Sequence, residues 1–119
     1  MQAGELIKQQ LTPIFQGNLY SDVIPENCKA EYVCVYQYIS SVAVNTLDTG
    51  YAKQDACRIQ VDVYAKSLGA AMQKVALIIA AITEQNTLPA LFLGKRTIPE
   101  PETRKTRVSL DFSIWEQTP

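Results

Sequence analysis

The chain has 119 residues, 47% of them hydrophobic, which suits a single domain over 1–119 with one core. Eleven Lys and Arg against twelve Asp and Glu leave a formal charge of −1, which excludes a chain-wide electrostatic footprint for nucleic acid or anionic membrane. There is no histidine, and Cys28, Cys34 and Cys57 form no CxxC pair, which excludes the usual zinc sites and any Cys–His or Ser–His catalytic pair.

The opening MQAGELIKQQLTPIF lacks the basic segment and apolar run of a secretory signal, and no apolar window approaches the roughly eighteen residues of a membrane span. The expectation is a soluble protein made and kept in the cytoplasm, with reduced thiols. Leu6, Ile7, Leu11, Ile14 and Phe15 put one apolar stripe on a short helix over 3–15. Pro13 should kink or end it, and Gly17 and Asn18 tolerate the left-handed backbone of a helix stop. NLYSDVIPEN then reads as extended chain.

EYVCVYQYIS, residues 31–40, is rich in β-branched and aromatic types and predicts a buried strand in which Cys34 acts as a small hydrophobe. VAVNTLDTGYAKQD loses periodicity, so 45–54 reads as a loop or loose hairpin, within a flexible region near 42–56. RIQVDVYA alternates cleanly, with Ile59, Val61 and Val63 on one face and Arg58, Gln60, Asp62 and Tyr64 on the other.

Ser67 is placed to cap a helix from Leu68. Its apolar stripe is Leu68, Met72, Val75, Ile79 and Ile82, widened by Leu77 and Ile78, with Gln73, Lys74 and Glu84 wet. ALFLG, 90–94, predicts a short strand ended by Gly94, followed by an exposed, flexible arm or hairpin tip near 95–106. In RVSLDFSIW, Val108, Leu110, Phe112 and Ile114 face the core, while Arg107, Asp111 and Trp115 face away. The element order fits an α+β fold, a mainly antiparallel sheet with two helices packed on one face.

The pattern R-x-x-x-D occurs twice on outward faces, as Arg58 with Asp62 and Arg107 with Asp111. If the two strands pair, an Arg can meet an Asp across the ladder, either as a solvated face or as a charged surface that sets register against another subunit. Trp115, with Tyr64 and Tyr36 on neighbouring strands, favours the second. Asp62 and Asp111 as a general acid/base pair lack a nucleophile, a metal set or a phosphate loop beside them. Lys95, Arg96, Arg104, Lys105 and Arg107 form the one basic cluster, too sparse in basic and aromatic residues for direct DNA binding.

VYQYIS, RIQVDVYAKS leading into an Ala-rich helix, and RVSLDFSIW near the C-terminus together resemble the small tail-completion or tail-terminator proteins of long-tailed bacteriophages, over about residues 3–116. The resemblance implies an α+β subunit of a ring, commonly six-fold, at the head-proximal end of the tail tube. Such a ring stops tube polymerisation, docks the head and lets DNA pass through its lumen. It implies no cofactor, no catalysis and no membrane contact. By position, the interface candidates are Arg58, Asp62, Tyr64, Arg107, Asp111 and Trp115, and the tube, head or lumen candidates are Lys95, Arg96, Arg104 and Lys105. Alternatives are a head-completion connector, a minor tail protein, or a dimeric ligand-binding α+β domain.

Overall fold

The computed structural model describes residues 2–22, 32–46, 50–100 and 105–117. In chain order these form α1 (Ala3–Phe15), β1 (Leu19–Ser21), β2 (Val33–Thr46), β3 (Gly50–Ala65), α2 (Leu68–Thr83), β4 (Ala90–Glu100) and β5 (Lys105–Gln117). The strands make one sheet in the order β1-β2-β3-β5-β4. Every ladder is antiparallel except the short parallel pairing of β1 with β2. Both helices cover the same face, so the fold is α+β as expected.

The alternation of β3 and β5 builds that face. Ile59, Val61 and Val63 lie opposite Phe112, Leu110 and Val108 and are buried under Leu6, Ile7, Leu11 and Phe15 of α1 and Ala71, Val75, Ile78 and Ile82 of α2. Each large apolar side chain removed from water stabilises the fold by about 1.5–3 kcal/mol. The rings of Phe92 and Phe112 sit 5.5 Å apart at a tilt of 49°, tying β4 to the core. α2 carries the chain across the sheet from β3 to the far edge, and β5 fills the gap between β3 and β4.

Helix ends follow local chemistry. Ser67 accepts a hydrogen bond from the Ala70 amide at 3.2 Å, the cap expected from sequence. α1 has no side-chain cap of its own. Instead the Ala3 amide donates to Glu116 Oε2 at 2.7 Å, so a carboxylate on β5 satisfies a free amide at the positive end of the helix. Pro13 lies inside the last turn and does not itself stop the helix. The helix runs on to Phe15 and ends where Gln16 and Gly17 take positive φ of 49° and 95°.

Four expectations need correction. The buried stripe of α2 is Ala71, Val75, Ile78 and Ile82, while Leu68 and Leu77 are exposed and Met72 and Ile79 half-buried. Ala71 takes the buried position instead of its neighbour Met72, and Ile78 instead of Ile79, so the buried face is rotated by one residue there. Lys74 is not simply wet. Its ammonium donates to the Ile14 carbonyl at 3.1 Å and lies 4.8 Å from the centre of the Tyr32 ring and 5.8 Å from that of Phe15.

The other two concern strand length. Residues 42–46 and 50–56 continue the β2–β3 hairpin, with 47–49 outside the described residues. This end of the sheet leaves Ser40, Ser41, Val42 and Ala43 exposed, so no burial pattern marks it as strand. Likewise Gly94 does not end β4. It follows a bulge between Phe92 and Gly94, after which the strand pairs with β5 as far as Glu100 opposite Lys105. Charged residues and Pro99 suit it because β4 is an edge strand.

Candidate functional site

The sheet face turned away from the helices gathers most of the residues singled out from sequence. Residues directly opposite in an antiparallel ladder share a face, so the register defines its rows. Val33, Tyr64, Arg107 and Ile98 form one, and Val35, Asp62, Ser109 and Arg96 the next. Then come Gln37, Gln60, Asp111 and Gly94, followed by Ser40, Arg58, Ser113 and Leu91. Val42, Ala56 and Trp115 form the last.

The two R-x-x-x-D patterns meet diagonally, each Arg reaching the Asp of the other strand. Arg107 Nη2 lies 2.8 Å from Asp62 Oδ2, and Arg58 Nη2 lies 3.2 Å from Asp111 Oδ2. The expectation of an exposed pair holds for Arg58–Asp111, with side chains 54% and 32% exposed. It fails for Asp62, whose side chain is 4% exposed beside an Arg107 that is 24% exposed. Gln60 Nε2 donates to both Asp62 oxygens at 3.1 and 3.2 Å, and the Arg107 guanidinium lies 5.8 Å from the Tyr64 ring centre. Val33, Val35 and Ser109 are buried around this group. Asp62 is thus held in place, and the Arg58–Asp111 half is the more exposed of the two pairs.

Trp115 is 37% exposed on the outward face, in one row with the exposed Val42. Tyr36 does not join it, because it pairs with Val61 on the helix side and packs against the core. Lys95 and Arg96 lie exposed on edge strand β4, not on a free arm. They point to opposite faces, since they pair with Leu110 and Ser109. Arg104 lies outside the described residues, and so does the side chain of Lys105.

Sequence reasoning missed the exposed apolar side chains Tyr38, Ile39 and Val42 on β2 and Leu91 and Leu93 on β4. For β2 the available signal was the loss of alternation from Val42 onward, which reads as a loop or loose hairpin but also fits strands beyond the cover of the helices. Cys34 and Cys57 are free and buried, and Cys28 lies outside the described residues. Burial, reinforced by a hydrogen bond with Glu116, pushes the Cys57 thiol up to about 11, and burial raises Cys34 further. Neither is poised as a nucleophile. Among the described residues, no group of three or more His, Cys, Asp or Glu is placed to hold a metal, and no helix is long and apolar enough to cross a membrane.

Among the described residues the outward face thus carries ordered ion pairs and an exposed aromatic, and a family comparison gives it a setting. The model of the tail completion protein gp17 family matches residues 7–117, nearly the whole chain. The chain belongs to the tail completion protein gp17 family. It is therefore a structural protein of a phage tail or phage-like virion. A chain in the virion of a native gene transfer agent particle shares the fold at a TM-score of 0.70 and 13% identity, over 93% of this chain and 91% of that one. Two structures from Akkermansia muciniphila match more weakly. Their TM-scores are 0.41 and 0.38, with 14% and 12% identity, over 70% of this chain and 42% and 45% of theirs. That likeness is too slight to carry an argument. No curated protein sequence matches the chain.

Proposed function

We propose that this chain is a single-domain subunit of a ring, commonly six-fold in such assemblies, that caps the head-proximal end of the tail tube. The ring terminates tube polymerisation and joins the tail to the head. The observation that carries this reading is the family match over 7–117, and the outward face supports it. A head-to-tail ring is a heterologous contact that closes by rotation, so each subunit must present two different complementary surfaces. The sheet offers them, a helix-covered side with Lys95 beyond it and an outward side with Arg58, Asp111 and Trp115. The buried Asp62–Arg107 pair with Tyr64 fixes the second surface rather than contacting a partner itself.

The partners are other copies of the chain, the tail tube protein and the head connector proteins. DNA passes through the lumen without sequence-specific binding, and Lys95, Arg96, Arg104 and Lys105 supply positive charge toward tube, head or lumen. The work is steric and adhesive, with no reaction and no cofactor. Its place is the head-proximal end of the virion tail, assembled in the host cytoplasm.

The test combines native mass measurement of the purified protein with electron microscopy of tail tubes to which it has been added. Closed multimers and a cap on one end of each tube are the expected result. A protein that binds no tube end and remains a monomer in the presence of tubes refutes the reading.

A further inference from the structure

Large apolar side chains left in water collect at one end of the sheet. Among the described residues Tyr38, Ile39, Val42, Leu91, Leu93 and Trp115 all lie in the half that carries the β2–β3 turn, against Leu68 and Leu77 on α2. Residues 38–43 are exposed one after another, so β2 is covered on neither face there. Apolar surface concentrated in this way marks a contact.

The two faces of that end differ. On the outward face Val42, Ala56 and Trp115 share a row. The Trp115 amide donates to the Pro89 carbonyl at 2.9 Å, which brings the exposed Pro89 to the same level. The next row holds Arg58 and Leu91. On the helix side Tyr38 lies opposite Ile59 and Ser41 opposite Cys57, and Ala43 shares a row with Asp55 and Glu116. Glu116 takes the Ala3 amide, so the first turn of α1, with the exposed Glu5, borders this strip.

We propose that these two surfaces mate between copies, the outward face of one subunit's turn end, with Val42, Trp115 and Leu91, lying on the helix-side strip Tyr38–Ala43 of the next. This deepens the ring reading above, on which it rests for the choice of a second copy, by naming the two complementary surfaces.

Charge and shape favour that occupant. Arg58, with its side chain 54% exposed, borders the outward apolar row, whereas Asp55, Glu116 and Glu5 border the helix-side strip. Opposite charges therefore come together when unlike faces meet, and acid would face acid if two helix-side strips met. Under the helices the subunit is two layers thick, while β2 at the turn end is a single layer. Stacked sheets approach to about 10 Å, so the thin ends lie close and the thick bodies fan apart. Neighbouring copies are then related by a rotation, and an unlike-face contact repeated by rotation closes a ring.

Mixing two half-blocked variants tests the contact. Val42→Asp with Leu91→Asp blocks the outward face, and Tyr38→Asp blocks the strip. These side chains are 65%, 60% and 55% exposed, and serine replaces aspartate in any variant that loses native far-UV circular dichroism. Native mass measurement should show multimers for the wild type and monomers for each variant alone, with association weakened by about 30-fold or more. Leu77→Asp on α2 should associate like the wild type. An equimolar mixture of the two blocked variants should give a one-to-one heterodimer and nothing larger, because a single intact junction remains. A monomeric wild type, or a mixture that stays monomeric, overturns the proposal. So does a Tyr38→Asp variant that still dimerises alone, which would show a two-fold contact between outward faces. Capping of tail tubes is scored separately by electron microscopy. Wild-type caps on tubes without heterodimers in the mixture would sink this contact and leave the ring reading standing, and heterodimers with uncapped tubes would do the reverse.

Discussion

Arg107 and Asp62 form a buried ion pair at 2.8 Å, and Arg58 and Asp111 repeat the same diagonal at 3.2 Å in the open. The two pairs are related by a local two-fold about Val61 and Leu110, which lie opposite each other. Their energetics should nevertheless differ, because desolvation separates them. Arg107→Ala leaves a carboxylate that is 4% exposed with Gln60 in place of a cation, and should destabilise by about 3–5 kcal/mol. Arg58→Ala removes a solvated partner and should change stability by about 0–1 kcal/mol. Urea denaturation of both variants decides it, and equal losses would contradict the distinction.

Alkaline pH should weaken the fold through its thiols. The Cys57 thiol is raised from its ordinary 9.0 to about 11, so the folded state holds its proton where the unfolded chain has released it. The stabilisation is complete below pH 9 and is lost as pH rises toward 11, since stability falls wherever the unfolded state binds fewer protons. Two pKa units correspond to about 3 kcal/mol. Unfolding free energies measured from pH 8 to 11 should show a shallower decline in Cys57→Ala than in wild type. Identical slopes would show that the thiol does not titrate this way.

Ser67→Ala should cost about 1 kcal/mol through loss of the cap on Ala70, measured as a shift of the urea midpoint at constant slope. Ser67→Asp should restore most of it, and a loss that Asp fails to rescue would argue against capping.

Much of this fold was legible because its signals are local. The alternation at 58–64 and 107–115 named the core face of two central strands, and a hydroxyl before an apolar run named a cap. What escaped was decided by distant parts of the chain. Whether Asp62 is buried depends on its neighbours Val35 and Ser109 from two other strands, and no feature of RIQVDVYA records that. The sheet beyond the helices lost its alternation because both faces there are wet, so strand looked like loop. The face of α2 moved by one residue because small Ala71 sits nearest the core and large Leu68 outside it. Among the candidate site residues, the pattern R-x-x-x-D foretold the cross-strand pairs, whereas the placing of Tyr36 followed from a register that sequence did not supply.

Trp115 should matter for assembly more than for folding. It is partly exposed on the outward face, so Trp115→Ala should cost less than about 1 kcal/mol of stability. As a contact residue it should weaken association by about 2 kcal/mol, or roughly 30-fold. Analytical ultracentrifugation beside urea denaturation separates the two effects, and unchanged association would remove Trp115 from the interface.

The most direct measurement is electron microscopy of lysates from a phage in which this gene has been deleted. Tails longer than normal and unjoined to heads are the predicted result. Wild-type protein supplied in trans should restore both length and joining, while folded Trp115→Ala should restore them poorly. Tails of normal length carrying heads in the deletion strain would contradict the proposal that this chain ends the tube and joins it to the head.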